Sequence, residues 1–259
     1  MTKILATIGP ATENIANLKK IIKYTKLVRL NGAHNNIEWH EKVSGLLKKL
    51  DKDVKILIDL PGIKPRSTNK DEIQIKKNEE IIFLYGKNKF KDIKTIKVSR
   101  PFPYSKNIKN LSVSDGKYKF KILEKRKNFI KVKSMESFVL KSGKGINLPN
   151  GVYSDEYQKK LFSKFIKKAK NVKYDAIGLS FVQNENIIKS VKKITKNKLI
   201  VSKIENTQGC KNLDKIITNS DLVMIDRGDL AAEIGNEKLY NAIYSITKCT
   251  KKYGKSLIV

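Results

Sequence analysis

Short, almost unbroken apolar runs alternate through this chain with segments whose apolar side chains recur every three or four positions. An unbroken apolar run suits a strand covered on both faces, and a helical period suits the element that covers it. Residues 3–9 (KILATIG) form a β-branched run ending at Gly9-Pro10, after which Ile15, Leu18, Ile21 and Ile22 share a helical face. The order repeats with a strand at 26–31, a helix carrying Val43, Leu46, Leu47 and Leu50, and a strand at 54–60. It resumes with a helix carrying Leu161, Phe162, Phe165, Ile166 and Ala169, then a strand at 176–181. A helix through Ile187, Val191 and Ile194 precedes a strand at 199–204, and a helix through Leu213, Ile216 and Ile217 precedes a strand at 222–227. A long helix through Leu239, Ile243 and Ile246 leads into 256–259. Such alternation builds a parallel sheet.

Residues 67–146 break the rhythm with short alternating runs (IQI, EEIIFLY, KTIKV, FIKVK) separated by polar turns, among them Ser114-Asp115-Gly116 and the stretch from Lys141 to Gly145. The pattern predicts a small β-barrel domain inserted after strand three. The chain thus divides into 1–66, the first part of the main domain, 67–146, an inserted β-rich domain, and 147–259, the main domain continued. Seven core strands fall one short of a (β/α)₈ TIM barrel, whose active sites lie at the carboxyl ends of the strands. An open doubly wound sheet is the rival, although no GxGxxG motif follows the first strand. A barrel short of one strand leaves two edges unpaired, so the chain is expected to need a partner, a rearrangement or a remainder.

The formal charge of +30 suggests a polyanion partner, but the lysines are spread along the whole chain and no basic run combines with stacking aromatics. No nucleic-acid role is expected. All but five of the 55 basic residues are lysine. Arginine at 29, 66, 100, 126 and 227 therefore hints at sites that need a planar, bidentate cation. Cys210 and Cys249 stand alone, with no spacing that suits a disulfide framework or a zinc site. No apolar stretch approaches the ~20 residues of a membrane span, and no signal-peptide core opens the chain. A cytoplasmic protein without membrane attachment is the expectation.

Strand five ends in Ser202-Lys203-Ile204-Glu205, and strand six in Asp226-Arg227-Gly228-Asp229. Side chains two apart on a strand share a face, so Lys203 and Glu205 are expected to turn inward together. Glu205 and Asp229 suit a hard divalent ion, with Lys203 beside a bound phosphate. Taken alone, the same residues fit better a structural ion pair between Lys203 and Glu205, with Asp229 as a helix cap. Arg29, Arg66 and Arg227 lie at or just beyond strand ends, where guanidinium groups suit a phosphorylated, carboxylate-bearing substrate or plain salt bridges. Gly228 and Asp229 open a helix whose free N–H groups suit a carboxylate. His34 and His40, the only imidazoles, have no metal-ligand partner at useful spacing.

Several motifs in register give the chain a resemblance to pyruvate kinase over its whole length. They are the stretch from Thr2 to Thr12, Val28-Arg-Leu-Asn with His34, Ile58-Asp, Gly145-Ile-Asn-Leu-Pro, Leu179-Ser-Phe-Val after Asp175, Ser202-Lys-Ile-Glu-Asn with Gly209, and Arg227-Gly-Asp-Leu with Glu233-Ile. The resemblance implies phosphoryl transfer from phosphoenolpyruvate to ADP, giving pyruvate and ATP, in glycolysis. It implies Lys203, Arg29 and Arg66 as catalytic residues, and Arg29, Lys203, Gly228 and Asp229 as the substrate site. Asn31, His34 and Arg66 would meet the nucleotide, and Glu205 and Asp229 would hold Mg²⁺ or Mn²⁺. A homo-oligomer is implied for the complete protein, which in relatives continues past strand seven into a threonine-bearing loop, an eighth strand and a C-terminal domain. Relatives hold K⁺ at positions matching Asn31, Ala33, Asp59 and Leu60, two of which are apolar here, while Lys64 stands where potassium-requiring relatives carry glutamate. Activity without K⁺ is therefore expected. Asp226 also departs from the family, which has a small neutral residue there. Two alternatives stand beside the kinase: a noncatalytic, truncated kinase-like pseudoenzyme or interaction module, and a Mg²⁺-dependent lyase acting on a pyruvate enolate.

Overall fold

The apolar runs become strands because both of their faces find cover, and a computed structural model describes them over residues 2–88, 90–105 and 108–259. The chain opens with β1 (Leu5–Ile8), α1 (Ile15–Tyr24), β2 (Leu27–Asn31), α2 (Ile37–Leu50) and β3 (Lys55–Asp59). The insertion follows as β4 (Ile73–Ile75), β5 (Glu80–Leu84), β6 (Lys94–Lys97), β7 (Asn110–Val113), β8 (Tyr118–Lys125), β9 (Phe129–Ser134), β10 (Phe138–Leu140) and β11 (Ile146–Asn147). The main rhythm returns with α3 (Asp155–Lys168), β12 (Ala176–Leu179), α4 (Glu185–Thr195) and β13 (Leu199–Ile204). It closes with α5 (Thr207–Lys211), α6 (Leu213–Asn219), β14 (Leu222–Ile225), α7 (Arg227–Ile234), α8 (Asn236–Lys252) and β15 (Ser256–Ile258).

Seven strands form one parallel sheet in the order β1-β2-β3-β12-β13-β14-β15. Each strand lies beside its predecessor in the main rhythm. The order never reverses, so there is no switch point of the doubly wound kind, and the sheet curls as a TIM-type barrel that remains open between β1 and β15. On one face Ile56, Ile58, Ile177, Ile200, Ile204, Val223 and Ile225 meet the helices in the main core. The opposite parity, Leu57, Val201 and Met224, forms a small apolar layer inside the curl with Leu5 and Leu222 packed against it. The insertion has its own core. Its sheet runs β11-β7-β8-β9-β5-β6 beside the pair β10-β4, with Phe83 and Phe120 meeting edge to face at 5.5 Å.

Polar side chains set the helix starts, as expected where the first N–H groups lack partners. Asn14, Asn36, Ser154, Asn184 and Asn206 each accept from a backbone N–H in the first turn of the following helix. Several expected boundaries shift. β3 stops at Asp59, β12 at Leu179 and β14 at Ile225, each short of its expected end. Phe181 adopts a left-handed backbone (φ 57°), which ends β12, and Asp226 already serves as the N-cap position of α7. The single helix expected through Leu213 is two, broken at Asn212, whose Nδ2 donates to Gln183 O at 2.7 Å.

Asn206 carries one of these boundaries while fully buried: its Oδ1 accepts from Gly209 N at 2.7 Å and its Nδ2 donates to Val182 O at 3.3 Å. Asn206→Ala should lower stability by about 1–2 kcal/mol in urea denaturation. A change of less than about 0.3 kcal/mol would show that the cap does not stabilise the β13–α5 corner.

Candidate active site

The parity that puts Leu57, Val201 and Met224 inside the curl continues toward the carboxyl ends as Asp59, Lys203, Glu205 and Asp226. The interior is thus apolar at one end of the strands and charged at the other. Lys203 is only 4% exposed, and its Nζ lies 2.7 Å from Glu205 Oε1, 3.3 Å from Asp59 Oδ2 and 3.4 Å from Asp226 Oδ2. Burial alone would lower its pKa, but these carboxylates outweigh that and raise it, so the ammonium stays charged.

Asp59 anchors a second cation. Arg29 donates to its Oδ2 through Nε at 2.8 Å and Nη2 at 2.5 Å, an arrangement that raises the arginine's pKa against the opposing effect of burial. Asp59 Oδ1 packs where a side chain at Gly178 would stand, so only glycine leaves room for this carboxylate. Glu205 is entirely buried, and its Oε2 accepts from Phe181 N at 2.7 Å. The left-handed backbone at Phe181 is uncommon for an aromatic residue and costs about 1 kcal/mol. Burial pushes the Glu205 carboxyl up; Lys203 opposes the rise, while Asp229 and Asp226 add to it.

A further buried lysine closes the site from the insertion side. Lys64, 2% exposed, places Nζ 2.5 Å from Asp229 Oδ1 on α7 and 3.2 Å from Asp115 Oδ1 in the Ser114-Asp115-Gly116 turn. Its stem passes over Gly145, where a Cβ would stand 2.5 Å from Lys64 Cε. One turn beyond Asp229, Glu233 accepts from Asn147 Nδ2 at 3.0 Å. Burial pushes its carboxyl up to about 7 against the Asn147 hydrogen bond and Lys64, with Asp229 and Glu205 adding to the rise.

The remaining candidates lie around this cluster. Asn31 Oδ1 accepts from Ala33 N at 3.0 Å, and His34, exposed on the same loop, accepts at its carbonyl from the buried His40. Leu60 is buried, and its carbonyl accepts from Ser180 Oγ at 2.9 Å. The three arginines expected at or beyond strand ends do not all join the cluster. Arg29 joins the cluster, but Arg66 is exposed where the insertion begins and donates to Gly143 O at 3.0 Å. Arg227 is the exposed first residue of α7, because the helix starts earlier than the strand pattern indicates. Gly228 and Asp229 follow it in the first turn, so Asp229 lies inside the helix and Asp226 takes the cap position. Sequence reasoning gave Asp115 and Glu233 no role. Their signals were a turn and a motif fragment, and neither says what lies opposite in space.

One group of carboxylates fits a divalent ion. Oxygens of Glu205, Asp226 and Asp229 lie within 4.8 Å of one another, and hard oxygen donors of this kind suit magnesium or manganese. A cation among them would offset the contribution that Asp229 and Asp226 add to the burial-driven rise of Glu205. With Lys203 and Arg29 alongside, the arrangement can bind a phosphorylated anion and hold positive charge against it.

Comparison with known proteins agrees with the fold. A family model described as "Pyruvate kinase, barrel domain" matches residues 1–259. The chain is 31% identical to the pyruvate kinase of Thermococcus litoralis, with 99% of the chain and 57% of that protein covered. It is 31% identical to the pyruvate kinase of Methanocaldococcus jannaschii, with 98% and 55% covered, and 29% identical to that of Thermotoga maritima, with 100% and 58% covered. The chain therefore spans little more than half the length of these relatives.

Glu233 gives the site a pH signature. With a folded pKa of about 7 against an ordinary 4.5, the folded chain holds a proton that the unfolded chain has released, so stability falls as pH rises between those values. In metal-free urea denaturation at pH 5 and pH 8, Glu233→Gln should gain on the wild type by up to ~3 kcal/mol at the higher pH. An equal difference at both pH values would mean that the buried carboxyl is not protonated.

Proposed function

The chain belongs to the pyruvate kinase family, and on that footing we propose that it carries a site for transferring a phosphoryl group from phosphoenolpyruvate to ADP, giving pyruvate and ATP. One observation carries the reading: a buried Lys203 held among Asp59, Glu205 and Asp226 at the carboxyl mouth of the sheet. Phosphoryl transfer asks a protein mainly for positioning and for fixed positive charge. Lys203 stabilises charge on the phosphoryl in flight, and Arg29, oriented by Asp59, holds the phosphate. The N–H groups of Gly228 and Asp229, in the first turn of α7, receive the substrate carboxylate. Asn31, His34 and Arg66 line the nucleotide side. Glu205 and Asp229 hold Mg²⁺, or Mn²⁺ in its place, and the bound ion supplies neutralisation of phosphate charge. Residues 67–146 act as a lid that excludes water.

Lys64 takes over the work of a monovalent cation, a reading supported by its fixed ammonium between Asp229 and Asp115. The reaction belongs to glycolysis in the cytoplasm, and the complete protein forms a homo-oligomer. Among the described residues no helix is long and apolar enough to cross a membrane.

Two other readings, a noncatalytic interaction module and a lyase, make different predictions from the kinase. A lactate dehydrogenase-coupled assay with phosphoenolpyruvate, ADP and Mg²⁺ separates the readings. The kinase predicts ADP-dependent pyruvate formation that drops by about 10³-fold or more in Lys203→Met; no turnover supports the module, and ADP-independent enolate chemistry supports a lyase. With tetramethylammonium as the sole monovalent cation, turnover should match that in K⁺. Strict dependence on K⁺ would remove the role given to Lys64.

A further inference from the structure

We infer that Asp226 is a third carboxylate ligand of the divalent ion, present because Lys64 and Lys203 already engage the other two. The inference rests on the reading of Glu205 and Asp229 as the ion's ligands. Each of those carboxylates is ion-paired to a buried lysine, Glu205 to Lys203 at 2.7 Å and Asp229 to Lys64 at 2.5 Å. An incoming ion must share both oxygen sets with fixed ammonium groups that repel it. Asp226 is the least committed of the three. It occupies the N-cap position of α7 yet makes no capping hydrogen bond, although an aspartate there ordinarily accepts from the first turn. Its one ion-pair contact among the described residues is the longer 3.4 Å approach to Lys203.

A separate observation points to a cation at this spot. Glu205 Oε1 is fully buried and accepts no hydrogen bond of acceptable geometry, although Lys203 lies within ion-pair distance. A buried carboxylate oxygen met only by that ammonium has a lone pair free for a metal ion as a second partner. Oxygens of the three carboxylates lie within 4.8 Å of one another. Ligand oxygens around one octahedral ion stand about 3–4 Å apart, so small side-chain movements suffice to close the set. Two departures noted in the sequence then explain each other: a positive charge at position 64 draws on Asp229, and a negative charge at position 226 restores the donor set.

The test reads ion binding directly, without turnover. Mn²⁺ is titrated into the 259-residue chain, with free ion followed by electron paramagnetic resonance, for the wild type, Asp226→Asn, Lys64→Gln and Glu205→Gln. Thermal melts check that each variant is folded. The expected result is one site in the wild type, weakened about tenfold or more in Asp226→Asn and tightened in Lys64→Gln. Wild-type affinity in a folded Asp226→Asn overturns the inference while leaving the site intact, and assigns Asp226 to Lys203 alone. A wild type that melts cooperatively yet binds no Mn²⁺ overturns the inference together with the reading beneath it, and that outcome is visible without any variant.

Discussion

An ammonium group removed from water must be matched by carboxylates, and Lys203 imposes that demand on the whole carboxyl mouth of the sheet. Desolvating one ion costs several kcal/mol, so a lone buried lysine would lose its proton or unfold the site. Here the match comes from separate elements: Asp59 ends β3, Glu205 follows β13 and Asp226 follows β14. Displacing any of these elements removes part of the charge that compensates the ammonium. The same carboxylates reach further, since Asp59 fixes Arg29 and Glu205 holds the Phe181 amide in its left-handed turn. Smallness at Gly178 is the steric condition that lets Asp59 sit there.

Lys64 repeats the arrangement at the boundary between the barrel and the insertion. Its partners belong to α7 and to the turn between β7 and β8, so one buried charge ties the two parts of the chain together. The insertion otherwise keeps a hydrophobic core separate from that of the barrel. Polar contacts such as the Lys64 ion pairs therefore join the two parts. Glu233 and Asn147 add a hydrogen bond between α7 and β11, the strand through which the chain returns to the barrel.

Much of the fold was legible because burial on two faces leaves a plain record. The unbroken runs of β3, β12, β13 and β14 contrast with the alternating runs of the insertion, and that contrast separates a covered parallel sheet from an antiparallel one. Boundaries were less legible. Nothing in an aromatic residue announces the left-handed turn at Phe181, and the break at Asn212 depends on a carbonyl from a distant loop. Barrel and doubly wound sheet share one local pattern, and only the strand order tells them apart.

Period two on a strand put Lys203 and Glu205 on one face, and the spacing of motifs indicated which loops meet at one mouth. These follow from covalent geometry, which the sequence alone dictates. It could not show that Arg66 bonds to Gly143 O, that Arg227 faces solvent, or that Lys64 spans Asp229 and Asp115. Those facts depend on which side chains, more than a hundred residues apart in some cases, share a small volume with little water in it. Local rules set the direction in which a side chain leaves the backbone, whereas the partner it meets there is decided by the curling of the sheet.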